Sequence, residues 1–153
     1  MADDQGADSG VGGRGVDLGR AKLQDLAHAK LQDAELLFAH DRFSNAYYLY
    51  GYAVEIALKA RIARRFLAET IPDKNFVVRL YTHNLKELVK IAGLSLDLAR
   101  EQANADSGAF WAVVEQWSPD SRYEIILGEQ AAAMRSAVTH PNEGVFQWII
   151  SRW

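Results

Sequence analysis

The chain has no cysteine, only three prolines, and no repeated segment. Without cysteine there is no disulfide framework and no thiolate chemistry, and the protein tolerates a reducing compartment. Four histidines without cysteine show no zinc-ligand spacing, so neither a metal nor a cofactor is expected. Gly-rich phosphate loops, a nucleophile elbow, and helix-turn-helix and zinc-finger patterns are missing as well. The beginning of the chain lacks the apolar core of a secretory signal. The longest uncharged run in the most apolar region, Phe43 to Val54, is too short to cross about 30 Å of hydrocarbon. No stretch alternates like a strand. These absences lead to the expectation of a soluble, cytoplasmic, all-α protein with no membrane contact.

What is present is a chain of 153 residues, 49% hydrophobic and 24% charged, which suits one core. Residues 1–19, rich in Gly and Asp, bury too little to offset their ordering entropy and read as a flexible tail. Residues 20–153 read as a single helical domain. Its spine is Phe43 to Glu69, apolar on all sides of a helical wheel and roughly 40 Å long at about 1.5 Å per residue. Its one glycine, Gly51, lies inside an otherwise strong helical pattern. Asn45, Tyr48, Tyr52, Glu55 and Lys59 recur at three- and four-residue steps, so they form a polar seam along it.

The other helices are expected to pack around this spine in an up-and-down bundle of five or six. An amphipathic helix from Leu18 to His40 precedes it, and Asp41-Arg42 turns the two into an antiparallel hairpin. Beyond Pro72-Asp73, Asn84 with Glu87 forms a capping box for a short helix closed by Gly93. Leu96–Asn104 and Ala109–Trp117 follow, broken at Asp106-Ser107-Gly108. Ser118-Pro119-Asp120 is a turn, Tyr123–Val138 a helix, and Gly144–Trp153 a docked terminal helix. Phe110, Trp111, Val113, Val114 and Trp117 read as core or dimer contact, and with Trp148 and Trp153 they make the carboxyl-terminal third a candidate dimer face that the sequence does not fix.

Net charge is −3, but it is unevenly spread: Lys59 to Lys90 holds eight Lys/Arg against three Asp/Glu. Either a solvated helix face or a basic end that meets phosphates accounts for this. Glu55, on a mostly buried helix, needs a partner; Lys59 is available within the helix and Arg122 from outside. His83, just before the Asn84 cap, reads as a contact holding that helix entry. One further pair carries possible chemistry. Arg135 and His140 are separated by four residues; a guanidinium holds a phosphate through paired donors, and an imidazole moves a proton. On a continuous helix the two would point about 140° apart, and Pro141 places His140 at or beyond the helix end.

The chain from about Ala21 resembles the HEPN family (higher eukaryotes and prokaryotes nucleotide-binding domain). The resemblance rests on Ala46 to Ala60 with Glu55 and Lys59, on Thr82-His83-Asn84-Leu85 with Leu88, on Trp117 to Tyr123 with Arg122, and on the position of Arg135 and His140. It implies a bundle that dimerises and brings two Arg/His pairs into one cleft. Many members are metal-independent endoribonucleases, acting as toxins or defence effectors. Others are inactive modules that bind a nucleotide or a partner protein, often a nucleotidyltransferase-like antitoxin. By resemblance Arg135 binds the scissile phosphate and His140 is the acid/base. Lys59, Arg61, Arg64, Arg65 and Ser136 then contact the RNA, and Glu55, Arg122 and His83 are structural. Active members often carry an amide after the Arg, where this chain has Ser136. The Tyr that a partner modifies two places after the His is here Asn142.

Overall fold

The computed structural model describes residues 18–153, so the expected tail lies outside the described residues except for Leu18 and Gly19. Those residues fold entirely as helix and connecting turns, with no strand among them. The order is α1 (Arg20–Ala39), α2 (Phe43–Ala63), α3 (Lys74–Arg79), α4 (Leu85–Ile91), α5 (Ser95–Gln102), α6 (Ala105–Val114), a 3-10 turn (Pro119–Tyr123), α7 (Gly128–Thr139) and α8 (Val145–Ile150). The all-α bundle matches expectation, but it has eight α-helices among the described residues rather than five or six. The helix that none of the expected segments covered is α3, which is short and locally capped. Asp73 accepts from the Phe76 N–H at 2.9 Å and starts α3 in what read as a loop.

α2 is the spine. Ala53 to Leu58 are six consecutive buried residues, more than one full turn, so α2 is enclosed around its whole circumference there. It packs against α1, α4, α7, α8 and the 3-10 turn. Asp41, in the left-handed region at φ 56°, reverses the chain between α1 and α2. Phe38 meets Phe43 near the turn with ring centres 5.5 Å apart, and Glu35 reaches Tyr50 further along, which makes the hairpin antiparallel.

Gly51 explains itself in this setting. A Cβ there would lie 2.2 Å from Cγ of Trp117, whose indole is buried flat against the helix. The glycine therefore gives up about 1 kcal/mol of helix propensity so that Trp117, two residues before the 3-10 turn, can seat its ring. Trp111 and Trp148 meet edge to face at 5.3 Å in the same core, and the Trp153 Nε1–H donates to the Ala57 carbonyl at 3.0 Å. Trp111, Trp117 and Trp148 are buried in this chain's own interior, the core role that was one of the two expected of the aromatic stretch, while Trp153 is half-buried.

Several boundaries differ from expectation for local reasons. α2 stops at Ala63, not Glu69. The N–H groups of Arg64, Arg65 and Phe66 bond to carbonyls three residues back, tightening the end. The Arg64 and Arg65 side chains are drawn to the carbonyls of Trp153 and Ile91. The break expected at Asp106-Ser107-Gly108 falls earlier: Asn104 caps α6 through the Asp106 N–H at 3.0 Å, and those residues form its first turn. The helix expected from Tyr123 starts only at Gly128. Ile126 donates its N–H to Ser44 Oγ at 2.9 Å and Leu127 to Gln130 Oε1 at 2.9 Å, which holds this stretch extended. The capping box at α4 is half formed. Asn84 Oδ1 accepts from the Glu87 N–H at 3.1 Å, but the Glu87 carboxylate turns to Lys90 at 2.7 Å. At the other end Gly93 (φ 74°) closes α4, with the Leu94 N–H reaching the Val89 carbonyl.

The Gly51 contact gives a direct test of the packing. Gly51→Ala should lower stability by about 2 kcal/mol in urea unfolding, because overpacking against Trp117 outweighs the propensity gain. An alanine variant as stable as the parent would show that the indole does not lie there.

Candidate functional site

Arg135 stands on the third turn of α7, facing α1. Its Nε donates to Glu35 Oε1 at 2.9 Å and its Nη2 to Glu35 Oε2 at 2.9 Å, a two-pronged pair. The guanidinium also lies over the Phe38 ring, 5.2 Å from its centre. From α2, the otherwise buried Tyr50 donates its hydroxyl to Glu35 Oε1. α1, α2 and α7 are thus tied by one carboxylate. The Arg135 hydrogen bonds are the largest influence on Glu35 and hold its carboxyl below its ordinary value of 4.5, against an opposing effect of burial. Burial, followed by the Glu35 bond, pushes the Tyr50 phenol up.

His140 has different neighbours. It ends α7, and its backbone N–H bonds to the Ser136 carbonyl at 3.1 Å. Its Nδ1 accepts the Glu143 N–H at 3.1 Å, which places a neutral ring's proton on Nε2, and its ring lies 5.3 Å from Phe110 on α6. A Cβ on Gly144 would sit 2.4 Å from the His140 carbonyl, so only glycine lets the chain fold back this closely over the helix end. The contacts of Arg135 (Glu35, Phe38, with Tyr50 beside them) and those of His140 (Phe110, Glu143) do not overlap. Within one chain they belong to two separate clusters. Ser136 is exposed on α7 between them.

Glu55 is the buried carboxylate of α2, with only 2% of its surface exposed. Its Oε1 takes bonds from Lys59 Nζ at 2.8 Å and His83 Nδ1 at 2.9 Å, while Oε2 has no protein partner. The partner from outside the helix is therefore His83 and not Arg122. Arg122 is exposed on the 3-10 turn, and its guanidinium lies 5.0 Å from the Tyr123 ring centre. The basic residues are also partly engaged. Arg64 Nη1 donates to the Trp153 carbonyl at 3.0 Å, and Arg65 Nη1 to that of Ile91 at 2.6 Å. The buried Nε of Arg61 has no partner.

The residues that matter most to Arg135, namely Glu35, Tyr50 and Phe38, were not among the expected ones. The available signal was Glu35 itself: it sits four residues after Leu31 and three before Phe38, an acid within the apolar stripe of α1. Among the described residues no cluster of three or more His, Asp or Glu is placed to hold a metal ion. No helix there is long and apolar enough to cross a membrane. Among family models, curated proteins and solved structures, none matches this chain.

The lowered Glu35 value fixes the sign of a pH effect. The carboxylate's contribution is full above about 4.5, its unfolded value, and is lost as pH falls through the lower folded value. Glu35→Gln should therefore cost about 1 kcal/mol of unfolding free energy at neutral pH. That difference from wild type should shrink towards zero in acid. A constant difference from neutral pH down into strong acid would contradict an ionised pair.

Proposed function

We propose that this chain is a non-catalytic helical interaction module of the HEPN type, whose Arg135 holds its own fold together. The observation that carries this reading is the two-pronged engagement of Arg135 by Glu35, backed by the Tyr50 bond and the Phe38 ring. A guanidinium committed to a carboxylate on two nitrogens has to give up that partner before it binds a phosphate in the same way. The imidazole that would supply acid/base chemistry lies in another cluster, with Nδ1 already accepting a backbone N–H. The module's partners, on this reading, are a nucleotide or another protein, a second copy or a nucleotidyltransferase-like protein among them.

The alternative is a metal-independent endoribonuclease of the same family, with Arg135 on the phosphate and His140 as acid/base in a dimeric cleft. Its support is that the Arg135 side chain keeps 46% of its surface exposed and so stays accessible to a ligand. The two readings part on one experiment. Purified wild-type chain and His140→Ala are incubated with total cellular RNA in the presence of a chelator. Both should leave the RNA intact, and expression of either should leave growth unchanged. RNA loss with wild type that His140→Ala and Arg135→Gln both abolish would overturn the proposal.

A further inference from the structure

The end of the bundle where α1 begins and α2 ends contains a groove of about 470 Å³. That volume falls within the ~300–1,000 Å³ of ordinary small-molecule sites. Its floor is apolar and buried, formed by Leu23 of α1 and Ile62 of α2. Ala63 and Leu80 continue the wall, and Phe66 and Tyr81, both exposed, form the rim. None of these residues touches Arg135 or His140 in the contacts described above, so the groove belongs to neither of those clusters.

The polar side chains of the groove are few and unequal. Lys59 lines it, but its ammonium is matched by the Glu55 carboxylate at 2.8 Å. Arg20 also lines it, is exposed, and makes no ion pair among the described residues. Close by stand Arg61, Arg64 and Arg65. Burial, then the charges of Arg64, Arg20 and Arg65, hold the Arg61 guanidinium below its ordinary value, and Asp97 is the acid that opposes them. Arg64 and Arg65 spend donors on the backbone oxygens of Trp153 and Ile91. The result is an apolar slot with an exposed guanidinium, Arg20, that no acid pairs with among the described residues. A nucleotide fits this poorly, because a base edge and ribose hydroxyls want donors and acceptors inside the slot, where the walls are hydrocarbon.

We propose that the groove binds an amphipathic anion, an acyl chain lying along Leu23, Ile62 and Ala63 with its carboxylate at Arg20. The apolar body supplies affinity through area removed from water, and the guanidinium selects the sign of the head group. This inference does not depend on the role of Arg135.

Calorimetric titration of the full chain with monomeric octanoate, nonanoate and decanoate tests it. Affinity should rise about fourfold with each methylene, the equivalent of about 0.8 kcal/mol per buried CH₂. Decyltrimethylammonium should bind at least tenfold more weakly than decanoate. Arg20→Gln, a surface change, should weaken decanoate about tenfold, and Ala63→Trp should abolish binding while a thermal melt shows the chain still folded. The proposal is overturned if folded wild type does not bind decanoate, or if the cationic and anionic chains bind alike. It is equally overturned if neither variant alters binding, or if the chain sediments with anionic phospholipid vesicles while ignoring monomeric decanoate.

Discussion

From Ala53 to Leu58 the spine helix α2 is enclosed on every side, so a polar group there cannot reach water, and that condition bears on the rest of the chain. The polar side chains it carries inward draw partners from other elements or from its own next turn, though Glu55 Oε2 and Arg61 Nε are left without one. Glu55 is met by Lys59 one turn on and by His83 from the entry to α4. The Tyr50 hydroxyl is met by Glu35 of α1, and that same carboxylate then takes the two bonds of Arg135 from α7. The Ala57 carbonyl, though already inside the helix ladder, takes the indole N–H of Trp153 at the end of the chain. The polar contacts around the spine therefore double as the ties that fix the neighbouring helices against it.

The same condition shapes the functional reading. A guanidinium and an imidazole five residues apart suggest phosphate chemistry when only the sequence is considered. In the fold they face different partners, and the guanidinium completes the satisfaction of a buried tyrosine's acceptor. A residue that balances a half-buried carboxylate bonded to a buried phenol costs something to release, because the carboxylate loses its two-pronged partner. That cost is the physical reason to place Arg135 with the architecture. By contrast, the groove beside Leu23 and Ile62 has, among the described residues, apolar walls left uncovered and an arginine, Arg20, with no ion pair, which is why the proposed ligand is assigned there.

The fold class was legible because periodicity survives in single segments: α1, α2 and α4 each show their apolar side, and Asn84 and Gly93 are visible as cap and stop. The stretch from Arg64 to Phe66 and the one from Glu124 to Leu127 were not legible. Their conformations are set by partners far along the chain, Trp153, Ile91 and Ser44, whose positions no local pattern reports. Two glycines inside helices have reasons that no local pattern reports. Gly51 lies within the spine helix as expected, and its bare Cα is the space for the Trp117 indole. Gly108 read as a break, yet it lies inside α6, where the carbonyl of Gln102 passes 2.8 Å from where a Cβ would stand. For the candidate site, Arg135 and His140 were visible as residue types and their divergence along one helix was expected, but the partner of Arg135 was not legible, because Glu35 is a hundred positions away in sequence and its pairing depends on how α1 lies across α7.

The central claim, that Arg135 serves the fold through Glu35, is tested most directly by the coupling energy between the two. Unfolding free energies of wild type, Glu35→Gln, Arg135→Gln and the double variant, measured in urea at neutral pH, close a double-mutant cycle. The account predicts a favourable coupling of about 1 kcal/mol or more, as expected for a two-pronged pair tied to a buried hydroxyl. A coupling indistinguishable from zero would contradict it, leaving Arg135 free to act on something outside the chain.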